Sequence, residues 1–236
     1  MAAVTLLEAR GLTRHFDGLK AVDGVDFDLT EGEIHALIGP NGAGKTTFVS
    51  LLSGRIPAQS GTIRFAGRDI TRLPAHARVR AGIAYTFQIT QIYGALTVFD
   101  NVALAVQSRH SHRLSDDAME ALARVGLEGR ANQTAGTLSY GHQRLIEVAM
   151  GLALKPRLLI LDEPTQGLAQ GEIESFKDIV RSVVPEATVL LIEHNMDVVM
   201  DLAHRITVLN FGQVLATGTP DAIRANKAVQ TAYLGG

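Results

Sequence analysis

The apolar run Ile34–Ile38 stops at Gly39 and opens into Gly39-Pro40-Asn41-Gly42-Ala43-Gly44-Lys45-Thr46. Beyond it, Lys45–Leu52 carries apolar residues at helical spacing. A short continuous apolar run reads as a strand buried on both faces, which calls for a parallel sheet covered by helices. The loop fits the pattern G-x-x-x-x-G-K-[ST] in its proper strand-to-helix setting. Its glycines let the backbone curl so that successive N–H groups point inward at an anion. The following helix adds the positive end of its dipole. Lys45 brings a compact charge able to reach the β and γ phosphates of a nucleotide. Thr46 brings a hydroxyl suited to Mg²⁺, a hard cation that takes oxygen ligands.

The remaining chain is compatible with such a core. At 236 residues it is long enough for one domain, or one domain with a subdomain, without staples. It has no cysteine, which excludes thiolate catalysis, thiolate metal sites and disulfides. A formal net charge of -2 leaves no basic stripe, so nucleic acid is not expected as a partner. No apolar stretch approaches the roughly 18–20 residues that span a bilayer. Met1–Gly11 lacks the basic flank and apolar stretch of a signal peptide. The chain is therefore expected in the cytoplasm, with any membrane role exercised through partners.

Alternation in Val4–Ala9 and Val22–Leu29 predicts strands of a half-exposed sheet, and Thr62–Phe65 and Ile83–Phe87 are strand-like. From Val98 to Ala153 the pattern turns helical. Val98–Gln107 is expected behind a Thr97 cap, with Asp116–Val125 and Gln143–Leu154 after it. Strand and helix then alternate again: Leu158–Leu161, Gly171–Val183, Val189–Ile192 and Met196–Ala203. A final strand pair, Ile206–Leu209 and Val214–Ala216, precedes a helical tail over Pro220–Leu234. The expected fold is an α/β P-loop core with a mixed sheet, an antiparallel β subdomain and an all-helical insert. As one domain over 1–236, it divides into a core of 1–90 and 156–236 and an insert of 91–155.

Leu158–Leu161 ends in Asp162-Glu163. Acids at the mouth of a buried strand are costly unless they meet a cation. Asp162 is the natural holder of Mg²⁺, and Glu163 is placed to orient or deprotonate an attacking water. Val189–Ile192 runs into Glu193-His194, and strands beside a P-loop end near the γ-phosphate. Gln88, after the strand-like Ile83–Phe87, offers a neutral amide to Mg²⁺ or water.

Between these motifs lies Leu138-Ser139-Tyr140-Gly141-His142-Gln143. It resembles the signature, usually written LSGGQ, of the ABC (ATP-binding cassette) transporter ATPases, and the resemblance runs from about Leu6 to Leu234. It implies an ATPase whose cofactors are ATP and Mg²⁺. The nucleotide would be bound by Phe16, stacked on adenine, by Gly39, Pro40, Asn41, Gly42, Ala43, Gly44, Lys45, Thr46 and Thr47, and by Gln88 and Asp162. Thr46, Gln88 and Asp162 would hold the metal. Glu163 matches the catalytic carboxylate and His194 the switch histidine, with Lys45 on the phosphates. Ser139 and Gly141 match groups that hold the γ-phosphate of ATP bound by an opposing cassette. The partners implied are a second cassette, identical or paralogous, transmembrane permease subunits and, indirectly, a periplasmic solute-binding protein. The cassette would lie on the inner face of the membrane.

The chain departs from the family pattern at Tyr140, His142 and Ala169, which puts local hydrogen bonding and coupling across the dimer in question. Glu193-His194-Asn195-Met196, the Leu138–Gly141 segment and the tail from Gly218 to Gly235 are similar to the branched-chain amino acid uptake branch. The segment Leu73–Arg78 is also compatible with ATPases of lipid or lipopolysaccharide exporters. A soluble ABC ATPase and a non-ABC P-loop kinase remain as further alternatives.

Overall fold

The computed structural model describes residues 4–86, 91–184 and 186–234. Two long strands, β1 (Thr5–Phe16) and β2 (Leu19–Thr30), form a hairpin. Next come β3 (Ile34–Ile38), α1 (Lys45–Ser53), β4 (Ser60–Phe65), β5 (Arg68–Asp69), α2 (Ala75–Arg80) and β6 (Ile83–Tyr85). Three helices follow: α3 (Val98–Gln107), α4 (Leu114–Arg124) and α5 (Tyr140–Ala153). The chain then alternates through β7 (Leu158–Asp162), α6 (Gln170–Val183), β8 (Thr188–Ile192), α7 (Met196–Leu202) and β9 (Arg205–Asn210). It closes with β10 (Gln213–Gly218), α8 (Pro220–Ala225) and α9 (Lys227–Leu234).

The main sheet has the order β10-β9-β3-β8-β7-β6, with β10 antiparallel to β9 and the others parallel. A second, antiparallel sheet has the order β2-β1-β4-β5. Because side chains alternate across a strand, β7 serves two cores. Leu158 and Ile160 pack with α1 and the antiparallel sheet, alongside Phe48, Leu51, Leu12 and Phe27. Leu159 and Leu161 face the helical insert with Val102, Leu122, Ile146 and Phe176. A third cluster seats Val199, Ile223 and Val229 against Ala36, Ile38 and Val208.

Several local expectations need adjustment. The antiparallel strands run further than Val4–Ala9 and Val22–Leu29, because hairpin pairing continues through irregular register to Phe16 opposite Leu19. α5 begins at Tyr140 and not Gln143, since Ser139 caps it by accepting the His142 N–H. The tail is two helices: Asn226 Oδ1 accepts from the Ala228 and Val229 N–H groups and restarts the chain after α8. By contrast, α3 spans Val98–Gln107 as expected, with Thr97 Oγ1 accepting from the Asp100 N–H at 3.0 Å.

Candidate active site

The parallel strands deliver their chemistry at their carboxyl ends, as such sheets do. β3 leads into the phosphate loop, β7 into Asp162-Glu163 and β8 into Glu193-His194. A cleft of about 320 Å³ is lined by Asn41, Gly42, Ala43, Gly44, Lys45, Thr46, Thr47, Glu163 and His194, with Leu19 and Ala21 on its rim.

Two of the loop's glycines, Gly39 and Gly44, answer to close approach. A Cβ on Gly44, which has φ 100°, would lie 2.1 Å from the Ala21 carbonyl oxygen, and one on Gly39 would lie 2.2 Å from that of Leu209. Lys45 is buried, and its ammonium donates to the Gly39 and Pro40 carbonyls at 2.7 and 3.1 Å. Burial holds its pKa below the usual lysine range, against the pull of Glu163 and Asp162. A phosphate entering the loop would replace backbone acceptors with a full negative charge.

Asp162 is 3% exposed at the end of β7. Its carboxyl is raised above the ordinary range by burial, opposed by a hydrogen bond from Tyr85 and reinforced by the nearby Glu163. Tyr85 donates to Asp162 Oδ2 at 2.6 Å, and Arg55 Nη1 donates to the Tyr85 hydroxyl at 2.8 Å. The backbone here is braced by Arg144, 1% exposed, which donates to the Asp162 carbonyl at 2.6 Å and pairs with buried Glu147. Asp162, at the end of β7, and Thr46, on the cleft lining, are oxygen donors of the kind Mg²⁺ takes.

Glu163 adopts φ 47°, left-handed for a residue with a side chain, at a cost of roughly 1–2 kcal/mol. Its N–H donates to the Ile192 carbonyl at 2.9 Å, which ties it to the end of β8. Its carboxylate meets His194 Nε2 at 2.8 Å. A carboxylate only accepts, so Nε2 is the nitrogen that carries the proton in this pair.

Phe16 is not on the cleft lining, although it pairs with Leu19, which is. Phe16 ends β1, is 39% exposed and is covered by the Arg14 guanidinium 4.8 Å from its ring centroid. Gln88 lies outside the described residues. Ser139 and Gly141 do not line the cleft. Ser139 is exposed, and its Oγ lies 2.7 Å from His142 Nδ1. Gly141 is buried beside the Glu172 carboxylate, which accepts the Ala169 N–H at 2.9 Å where alanine has no side chain to cap α6. Tyr140 lays its ring over Gly167. Sequence reasoning did not find Tyr85, Arg55, Arg144 or the contacts of Glu193; each acts through a partner distant in the chain.

The ABC transporter family profile matches residues 22–166, and a second profile, described as branched-chain amino acid ATP-binding cassette transporter, matches residues 213–236. The high-affinity branched-chain amino acid transport ATP-binding protein BraF of Pseudomonas aeruginosa is 41% identical, over 98% of both chains. The corresponding LivG protein of Salmonella typhimurium is 38% identical, again over 98% of both. Among solved structures, the ADP conformation of MJ1267, an ATP-binding cassette of an ABC transporter, superposes with TM-score 0.90 at 26% identity, covering 99% of this chain and all of that one. Together with the phosphate loop, the acidic strand end and the paired histidine, these likenesses identify the chain as an ATP-binding and ATP-hydrolysing subunit belonging to the ABC transporter family.

Proposed function

We propose that this subunit powers the import of branched-chain amino acids or related small solutes, from the cytoplasmic face of the membrane. The observation that carries the import reading is the tail: residues 213–236, beyond the core profile, match the branched-chain amino acid cassette profile, and the relatives named above carry that description. Among the described residues no helix is long and apolar enough to cross a membrane. Permease subunits, and a periplasmic solute-binding protein behind them, would supply the path and the solute contacts.

In the proposed mechanism, ATP lies along Gly39–Thr47 with its β and γ phosphates on the loop amides and Lys45. Phe16 is proposed for the adenine. Thr46 and Asp162, with Gln88, would hold Mg²⁺, which when bound supplies positive charge on the phosphate oxygens. Glu163 takes a proton from the attacking water, whose oxygen bonds to the γ-phosphorus as the bond to the bridging oxygen breaks; ADP and inorganic phosphate leave, and the proton passes from Glu163 to the phosphate. His194, paired with Glu163 at 2.8 Å, holds that carboxylate in place. Ser139 and Gly141, at the start of α5, would close on the γ-phosphate held by a second cassette. Exposure of Ser139 away from its own cleft supports that reading. ATP then favours the closed pair by binding it better than the open one.

Reconstitution into vesicles with the cognate permeases and binding protein tests the proposal. Leucine uptake should require ATP on the side of this subunit. Glu163→Gln should bind ATP, accumulate as a dimer on gel filtration with ATP and lose nearly all turnover. Normal hydrolysis in that variant would refute the assigned base, and failure of every branched-chain substrate to enter would refute the solute class.

A further inference from the structure

Glu193 is the first residue past β8 and is 3% exposed. A buried carboxylate is costly unless donors meet both of its oxygens. Here the donors divide by loop. Oε1 accepts from the Thr165 backbone N–H at 2.9 Å and from Thr165 Oγ1 at 2.6 Å. Oε2 accepts from the His194 N–H at 3.0 Å and the Asn195 N–H at 3.2 Å. One oxygen therefore holds the loop after β7 and the other holds the loop after β8. These same loops carry Glu163 and His194.

The loop after β7 is strained, with Glu163 at φ 47°. Strain of this kind persists only where the surroundings over-determine it. On one side it is pinned by the Glu163 N–H to the Ile192 carbonyl, and two residues on by Thr165 to Glu193. On the histidine side, Glu193 fixes the two backbone amides from which the imidazole projects, while Asn195 caps α7 through Asp197 and Val198. The Glu193 carboxylate does not line the nucleotide cleft. It sits behind the pair and spans the two segments that present it.

We propose that Glu193 is a positioning residue for hydrolysis: its carboxylate sets the spacing of the two loops, and through them the Glu163–His194 contact and the aim of Glu163 at the attacking water. This rests on the reading of Glu163 as the base. The requirement is specific to a carboxylate. Glutamine has nearly the same shape, but its amide offers one accepting oxygen. Its NH₂ group would face either the Thr165 N–H, where only the hydroxyl could turn and accept, or the two amides of His194 and Asn195, and one loop would be held less firmly.

The test compares wild type, Glu193→Gln, Thr165→Val and Glu163→Gln as full-length chains. Steady-state ATPase, ATP affinity by calorimetry and the chemical shifts of the ¹⁵N-labelled His194 imidazole at one fixed pH are measured for each. Misplacement of a reacting group by about 1 Å can cost about a hundredfold in rate. Glu193→Gln should lose about 10- to 100-fold in kcat, with ATP affinity within about twofold of wild type. Its His194 imidazole ¹⁵N chemical shifts should move from the wild-type values to those of Glu163→Gln. Thr165→Val removes one of the four donors at nearly constant volume; it should lose about threefold in kcat, and it provides the test if Glu193→Gln fails to fold. Wild-type kcat in both variants, while Glu163→Gln is inactive, would overturn the positioning role and leave the assigned base standing. So would wild-type His194 chemical shifts in Glu193→Gln, or an affinity loss equal to the rate loss. Wild-type turnover in Glu163→Gln would instead bring down the base and, with it, this proposal.

Discussion

The Tyr85 hydroxyl donates to Asp162 Oδ2 at 2.6 Å, joining the end of β6 to the end of β7. The phenol is half-buried, and its pKa is pushed above the usual tyrosine range by that burial and by Asp162. Arg55, just past α1, donates to the same hydroxyl and lies 5.0 Å from the ring centroid. The end of the phosphate-loop helix, the strand that leads toward Gln88 and the acid proposed for Mg²⁺ are thus tied together by one phenol.

Tyr85→Phe keeps the ring and removes the donor. Hydrogen bonds to charged groups contribute about 1.5–3 kcal/mol, so Asp162 should lose its fixed orientation while the fold survives. The Mg²⁺ concentration for half-maximal ATPase should rise about tenfold, with a smaller change in ATP affinity measured without metal. An unchanged Mg²⁺ dependence would mean that Asp162 needs no help from Tyr85.

At Gly141 the structure points to a different constraint from the one its place in the signature suggests. A Cβ there would lie 2.2 Å from Glu172 Oε1 and 2.6 Å from Glu172 Cδ. Glu172 can swing away only by giving up the Ala169 N–H at the start of α6. Gly141→Ala should therefore destabilise the chain by about 1 kcal/mol, the usual scale for a lost cap. In a Glu172→Ala background the same substitution should cost almost nothing, since the two sites share one contact. Equal losses in both backgrounds, read from urea midpoints, would place the cost elsewhere.

These contacts show where sequence reading stops. The phosphate loop, Asp162-Glu163 and His194 were legible because each follows an apolar run whose length and punctuation define a buried strand. Thr97 was legible because its partner, Asp100, is three residues away. Tyr85 looked like one more strand residue, since its partner is 77 positions downstream. Glu193 looked like the neighbour of a histidine because Thr165 is 28 positions off. The α5 start was placed late for another reason: apolar periodicity begins at Gln143, whereas capping chemistry begins at Ser139. The break at Asn226 was missed because both flanks are helical and only the asparagine marks the gap.

His35 makes stability depend on pH. It is fully buried in β3, with Nδ1 3.1 Å from Glu33 Oε1 and Nε2 2.8 Å from Thr207 Oγ1. Because Glu33 only accepts, Nδ1 carries the proton and Nε2 accepts from Thr207. Burial lowers the imidazole pKa, although Glu33 opposes it. The unfolded chain therefore takes up a proton near pH 6.5, where the folded chain does not. Stability should fall as pH drops from about 6.5 toward the depressed native value. Burial also pushes Glu33 up, but the bonds from His35 and the Thr30 N–H outweigh it and leave its carboxyl below the ordinary range. The Glu33 contribution is thus lost at a lower pH, below about 4.3. Melting temperatures from pH 7 to pH 5 should decline less in His35→Gln than in wild type. Parallel curves would show that His35 is not the group responsible.

Arg78 explains how the far end of α1 is held. It is 2% exposed, and among the described residues no carboxylate pairs with it. Its Nη1 donates to the Leu51 and Leu52 carbonyls at 2.6 and 2.8 Å, Nε to Leu73 at 2.9 Å and Nη2 to Thr71 at 3.0 Å. Leu51 and Leu52 lie in the last turn of α1, where the Leu51 carbonyl also accepts the Gly54 N–H and the dipole is negative. Burial lowers the guanidinium pKa to about 10, which still leaves it charged at neutral pH. Arg78→Met should cost about 1–3 kcal/mol, the scale for leaving buried acceptors without their donor. Arg78→Lys should recover part of this, because an ammonium cannot reproduce the planar fork. The urea midpoint should fall with an unchanged slope. The phosphate loop proposed to hold ATP lies at the opposite end of α1, so saturating nucleotide should add the same free energy to wild type and variant. A smaller gain in the variant would mean that the Arg78 cap is felt through the helix at the phosphate loop.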